Sequence, residues 1–164
     1  MDSLGSQAVR AEEWSMRYAG FGRRLAAHVI DHVIVAVAAV LVLAPVTGAT
    51  LLFGVIETVR ESPTALIGLV FSAIGIVAAA AAGVWVYAAG FESSSWQATP
   101  GKRLMGLIVT DEQGRRITFS RASVRYFAKW ISALALYLGY IIALFTARKQ
   151  ALHDLLASTL VLER

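Results

Sequence analysis

The sequence predicts an all-α membrane protein with three hydrophobic helical segments and a small cytoplasmic β-hairpin, the third segment being either a plain span or a broken, re-entrant one. Two observations carry this prediction. Hydrophobic residues fill 57% of the 164 positions and charged residues 16%, whereas a soluble domain carries about 45–50% apolar and about 25% charged residues. The apolar excess is also gathered into long uncharged runs, as in a membrane protein and unlike a soluble core. Together they exclude disorder and largely exclude a soluble enzyme.

Residues 25–44, LAAHVIDHVIVAVAAVLVLA, supply the roughly 20 residues that a helix needs to cross about 30 Å of hydrocarbon. Pro45 is expected to end this first span. Residues 46–63 then form a connecting loop, whose fragment TLLFGVIETVRE lies on the far surface. The second span, residues 64–90, holds no charge and is long enough to cross with tilt. In the loop 91–126, turn signals at Thr99-Pro100-Gly101 and Asp111-Glu112-Gln113-Gly114 flank LMGLIVT, and RRITF follows; the pair reads as a β-hairpin outside the bilayer. Ser120 is the expected N-cap of the next helix. The third hydrophobic segment takes residues 127–145, and residues 146–164 run from polar to strand-like in STLVLE. In the N-terminal segment 1–24, Trp14, Tyr18 and Phe21 recur as in an interfacial anchor helix.

Orientation follows from Lys and Arg: four precede the first span, one (Arg60) lies between the first two, and six lie in the hairpin loop. The positive-inside rule then makes the N-terminus and hairpin loop cytoplasmic, in a multi-pass protein of a bacterial cytoplasmic (inner) membrane. Arg148 and Lys149 argue that the segment after the third hydrophobic run is cytoplasmic too, which three plain spans would not allow. A break at Gly139 would reconcile the two counts and let STLVLE pair with the hairpin.

Arg24, His28, Asp31, His32 and Val35 line one face of the first span. A carboxylate at the depth of Asp31 costs about 2.5–3.5 kcal/mol on insertion scales, so it must pair with a cation or face a hydrated cavity. Ion or proton handling is one reading of this face, and a structural polar link is the other, with Asp31 and Arg24 each satisfying the other or a partner on another helix. His28 and His32 have the spacing of metal ligands, and His153 and Asp154 join them only if the C-terminal segment folds back, so no metal site is assigned. In the second span Gly68, Ser72, Gly75, Ala79 and Gly83 form one small-residue face suited to close helix packing.

No enzyme is expected. Pro100-Gly101-Lys102-Arg103 lacks the glycine and hydroxyl of a phosphate loop, no Ser-x-x-Lys or Gly-x-Ser-x-Gly nucleophile is present, and an Asp31/Asp154 proteolytic dyad would need both carboxylates in one site. No cofactor is implied. The basic residues flank apolar runs instead of forming a groove, so nucleic acid is not an expected partner. The expected partners are the lipid bilayer and either a second copy of the chain or other membrane proteins.

Three stretches, GFGRRLAAHVID, ATPGKRLMGLIVTDEQGRRITFSRASVRY and RKQALHDLLASTLVL, resemble the RDD family of bacterial membrane proteins, named for one arginine and two aspartates. The resemblance spans residues 19–162. By motif position it places the arginine at Arg24, with Arg23 fitting one residue off, and the aspartates at Asp31 and Asp154, with His153 before the second. His28 and His32 are outside the signature. The resemblance implies transport of small ligands, sodium–proton exchange, or an accessory role in larger membrane assemblies. The combined expectation is a transport-related role in which Asp31 is the titrating carboxylate, Arg24 its counter-charge and Asp154 a second acid or the partner that locks Arg24. The alternative is a non-transporting accessory or scaffold subunit in which the three form a structural clasp.

Overall fold

A computed structural model describes residues 17–60, 64–134 and 146–164. The elements in chain order are α1 (Phe21–Val59), α2 (Ala65–Ser93), α3 (Pro100–Leu104), β1 (Leu107–Asp111), α4 (Phe119–Leu134), α5 (Leu152–Leu156) and β2 (Thr159–Glu163). The chain divides into two units, one made of the residues up to Asp31 and from Tyr87 onward, the other of His32–Val86.

The second unit holds the apolar middles of α1 and α2. Both helices are long and apolar enough to cross a membrane, and their most apolar stretches have no buried residue. Pro45 does not end the first helix as expected: α1 continues through it to Val59, absorbing residues 46–59 of the predicted loop 46–63. Pro45 has no N–H to give to the Leu41 carbonyl, a loss that apolar helices tolerate where the rest of the ladder holds. Beyond it, the Thr50 and Thr58 hydroxyls donate back to the carbonyls of Val46 and Gly54 at 2.9 and 2.8 Å. The close approach within this unit is made by Gly54, where a Cβ would lie 2.3 Å from Leu69 Cδ2. By contrast Gly68, Ser72, Gly75, Ala79 and Gly83 are all exposed, and a Cβ on any of the three glycines would meet nothing within 4 Å.

The first unit is built around a two-stranded antiparallel sheet. β1 does not pair along its length with RRITF, which makes one bridge, Thr110 to Arg116, and so leaves an open hairpin. Its full partner is β2, in register from Leu107 opposite Glu163 to Asp111 opposite Thr159. β-branched Ile108, Val109, Thr110, Thr159 and Val161 suit a pleated ladder, and the C-terminal strand also supplies three buried apolar residues, Leu160, Val161 and Leu162, that RRITF cannot match. On its other edge β2 takes the chain before α1: Ala19 N–H donates to Val161 O at 2.9 Å and Glu163 N–H to Arg17 O at 2.8 Å. Tyr18 is therefore extended opposite Leu162 and not part of an anchor helix; Trp14 lies outside the described residues.

At the turn after β1, the Asp111 carboxylate accepts the N–H groups of Gln113 and Arg115 at 3.0 and 2.8 Å, and Gly114 takes φ +76°. Helix α4 starts earlier than expected, with Thr118 Oγ1 accepting the Arg121 N–H at 3.3 Å in the role assigned to Ser120. The described part of the third hydrophobic segment is the amphipathic end of α4. Residues 135–145, with the expected break at Gly139, lie outside the described residues. On either side of that stretch the chain is at one place: Arg121 lies 4.0 Å from Asp111 and Arg148 3.8 Å from Glu112, at the same turn.

Candidate functional site

The first unit gathers Arg24 and Asp31 from the start of α1 and Tyr87 and Glu92 from the end of α2 into two nodes joined by α3. In the first node, Asp31 accepts three hydrogen bonds: from Tyr87 Oη at 2.9 Å, Thr99 Oγ1 at 2.5 Å and the Gly101 N–H at 2.8 Å. It caps α3 from a different helix, because Thr99 has no side-chain cap bond of its own and Pro100 has no N–H to satisfy. Gly101 is required by contact: a Cβ there would lie 2.3 Å from Ala27 O and 2.8 Å from the Asp31 carboxylate. The motif Thr-Pro-Gly is thus the complement of one aspartate on α1.

The second node is ionic. Arg125, 2% exposed, donates through Nε and Nη2 to Asp154 Oδ1 at 2.8 and 2.6 Å and through Nη1 to Glu92 Oε2 at 2.7 Å. Arg24 Nη1 donates to the other Asp154 oxygen at 2.6 Å, while its Nε donates to Ala19 O at 3.2 Å. The Ala151 N–H adds a bond to Asp154 Oδ2 at 3.2 Å, so this carboxylate also starts α5. Glu92, 1% exposed, binds Lys102 Nζ through Oε1, and Lys129 Nζ lies 3.6 Å from the same oxygen. Lys102 follows Gly101 in α3, so the Asp31 cap also sets where this ammonium sits.

Burial works against every charge here, and the partners decide the outcome. Burial alone would raise the Asp154 carboxyl, but Arg125, His153 and Arg24 hold it well below the usual carboxylate range. Burial pushes the Lys102 ammonium down to about 7, Glu92 opposing and Arg125 and Lys129 reinforcing the shift. It also drives His153 down to about 3. The imidazole is thus neutral at pH 7, and its 3.5 Å approach to Asp154 is not an ion pair. With the other groups ionised, four cations (Arg24, Arg125, Lys102, Lys129) face two carboxylates.

Of the residues singled out by sequence, Arg24 and Asp154 meet directly. Arg24 and Asp31 do not bind each other; of the two forms of the structural reading, the structure has the second, in which each meets a partner on another helix, Arg24 on α5 and Asp31 on α3. His28 and His32, on the same helical face as Arg24 and Asp31, are exposed, while His153 is buried beside Asp154. Sequence reasoning missed Glu92, Lys102, Arg125 and Lys129 as site residues, having counted the hairpin-loop cations only for orientation. A signal was present for Glu92, the first charge after the long uncharged run of α2.

The sequence model of the RDD family matches residues 18–158. The chain belongs to the RDD family. The match takes in Arg24, Asp31 and Asp154, all three in the nodes just described. Among curated relatives, the uncharacterized protein YxaI of Bacillus subtilis (strain 168) is 30% identical over 158 residues, covering 87% of this chain and 95% of the relative. No solved structure matches. This is therefore an RDD-family membrane protein with a buried Arg/Asp/Glu/Lys network, in which the arginine and two aspartates are divided between a helix cap and an ionic clasp.

Proposed function

We propose that this RDD-family protein has a transport-related role in a bacterial cytoplasmic membrane, moving a small ligand or exchanging a cation for a proton. The observation that carries the reading is the Glu92 carboxylate near the end of α2, shared between Arg125 and a largely buried Lys102 whose ammonium is pushed down to about 7. Lys102 can lose its proton near physiological pH. Glu92 Oε2 then keeps Arg125, itself shared with Asp154, and Oε1 keeps Lys129 at 3.6 Å, so a monovalent cation can take the place the Lys102 ammonium held. The protonated Lys102 ammonium and a monovalent cation thus compete for one carboxylate, so loss of the Lys102 proton is coupled to cation uptake. Asp31 acts by positioning α3 and hence Lys102.

In this reading the protein is multi-pass with a cytoplasmic N-terminus and works without covalent chemistry. It is oligomeric, because so few spans enclose a pathway poorly, and the exposed Gly68–Gly83 face of α2 is where a second copy would pack. The test is sodium-driven proton movement in everted vesicles. It is expected in the wild type and lost in Lys102→Met and Glu92→Gln while both stay membrane-inserted. Silence from the wild type, or unchanged flux in both variants, overturns the reading.

A second reading, a non-transporting accessory or scaffold subunit, is favoured by the saturation of Asp154, which accepts from Arg24, Arg125 and the Ala151 N–H as a structural clasp would. Extraction in mild detergent separates the two: a stoichiometric foreign membrane subunit together with no flux supports the second.

A further inference from the structure

Helix α4 is amphipathic in an inverted sense. Its inward side carries Ala122, Arg125, Ala128 and Ser132, all buried, with Arg125 spent on Glu92 and Asp154. Its outward side carries Val124, Phe127, Trp130 and Ile131, exposed by 52, 54, 61 and 55%. At 3.6 residues per turn these four fall within about 120° of one another, with no charged residue among them. A water-facing helix places its charges outward and its bulk inward; here the polarity is reversed.

We infer that α4 lies in the plane of the membrane interface, with Val124, Phe127, Trp130 and Ile131 in the upper acyl region of the same bilayer that α1 and α2 cross. The first unit contains the start of α1 and the end of α2, so it is tied at two points to the surface where those helices emerge. Exposed Arg115, Arg116 and Arg121 lie just before and at the start of α4, as anionic headgroups require. A transmembrane path for residues 119–132 would instead carry Arg125 and Lys129 into hydrocarbon and pull them from Glu92. Lipid is thus the occupant that fits both sides of the helix.

The chain has no cysteine, so single spin labels can be placed cleanly on the full-length protein in nanodiscs of phosphatidylethanolamine and phosphatidylglycerol. Labels at Val124→Cys, Phe127→Cys and Ile131→Cys are expected to collide with oxygen more than with a water-soluble nickel chelate, all at one depth, while Arg116→Cys shows the reverse. A depth difference of about 10 Å between positions 124 and 131, the rise of seven helical residues, would make α4 a spanning helix and overturn the inference. So would dominant chelate access, which means water, or exclusion of both reagents, which means a protein cover. Trp130 gives an unlabelled check. With the other tryptophans replaced by Phe, lipids brominated near the headgroup should quench it more than lipids brominated at the chain ends, and the opposite order overturns the inference.

Discussion

Arg24 and Asp154 stand 130 positions apart in the chain and 2.6 Å apart in space. Their contact joins the first turn of α1 to α5, and Arg125 grips the second oxygen of the same carboxylate. One acid thus serves two arginines from opposite parts of the sequence, and each arginine has its own second tie, Arg24 to the Ala19 carbonyl and Arg125 to Glu92.

Arg125→Met should be the costliest single change in the network. It leaves Glu92 and Asp154 both short of their buried cation, and breaking such a pair costs about 3–5 kcal/mol. Arg24→Met leaves Asp154 held by Arg125 and should cost less. Arg125→Lys should recover only part of the loss, since an ammonium cannot bind two carboxylates with a planar fork. Denaturant unfolding in detergent, followed by near-UV circular dichroism, ranks the three. Exchanging the charges of Arg24 and Asp154 should not restore stability, because the new arginine at position 154 would face Arg125.

Gly101→Ala should destabilise the first unit by about 1–3 kcal/mol or more, the usual penalty for overpacking a site that cannot give way, since the new Cβ would meet the backbone oxygen of Ala27. Asp31→Asn keeps an oxygen for the Gly101 N–H and should be milder than Asp31→Ala, which strands Thr99, Tyr87 and that N–H together. Thermal unfolding of the three variants beside wild type checks the order.

Stability should fall in acid and rise in alkali. His153 is lowered from 6.5 to about 3 in the folded protein, so the unfolded chain takes up its proton first as pH drops through 6.5, and stability declines from there to about 3. Asp154, also lowered, adds a loss below the ordinary carboxylate value as pH falls toward its own. Lys102 is lowered from 10.5 to about 7, so its contribution grows as pH rises between those values. Melting temperatures measured from pH 4 to pH 10 should climb across both windows, and Lys102→Met should flatten the alkaline one.

Topology reporters fused after Thr118 and after Arg164 should report the same side of the membrane. Arg121 and Arg148 meet one turn, and β2 lies between β1 and the residues that precede α1. Opposite sides would require the sheet to come apart.

The two long apolar helices were legible because hydropathy accumulates over many residues and tolerates local exceptions. Pro45 was misread because a breaker in water is tolerated in an apolar helix whose other hydrogen bonds have no better partner. The hairpin was half legible: the Asp111–Gly114 turn is local chemistry, but the choice of β2 over RRITF is a tertiary contest decided by burial of Leu160, Val161 and Leu162. In the site, Arg24, Asp31 and Asp154 stood out as charges within or beside apolar runs, or by resemblance to a motif. That Asp154 locks Arg24 was among the expectations, and the two do meet. The partners of Asp31 were not legible, because a helical face gives neighbours along one helix and says nothing of which side chain across the unit answers it. Glu92 and Arg125 were hidden in plain charge counts for the same reason.

The central position of β2 sets an order of assembly. Asp154 and β2 leave the ribosome after both apolar helices have been made, so during insertion Arg24 has no Asp154 to bind, and β1 and the stretch before α1 have no shared strand between them. The first unit therefore closes after translation has passed residue 163, and a ribosome stalled before that point would hold both long apolar helices with the first unit still open. Protease protection of stalled chains would then appear in one step, with the arrival of β2.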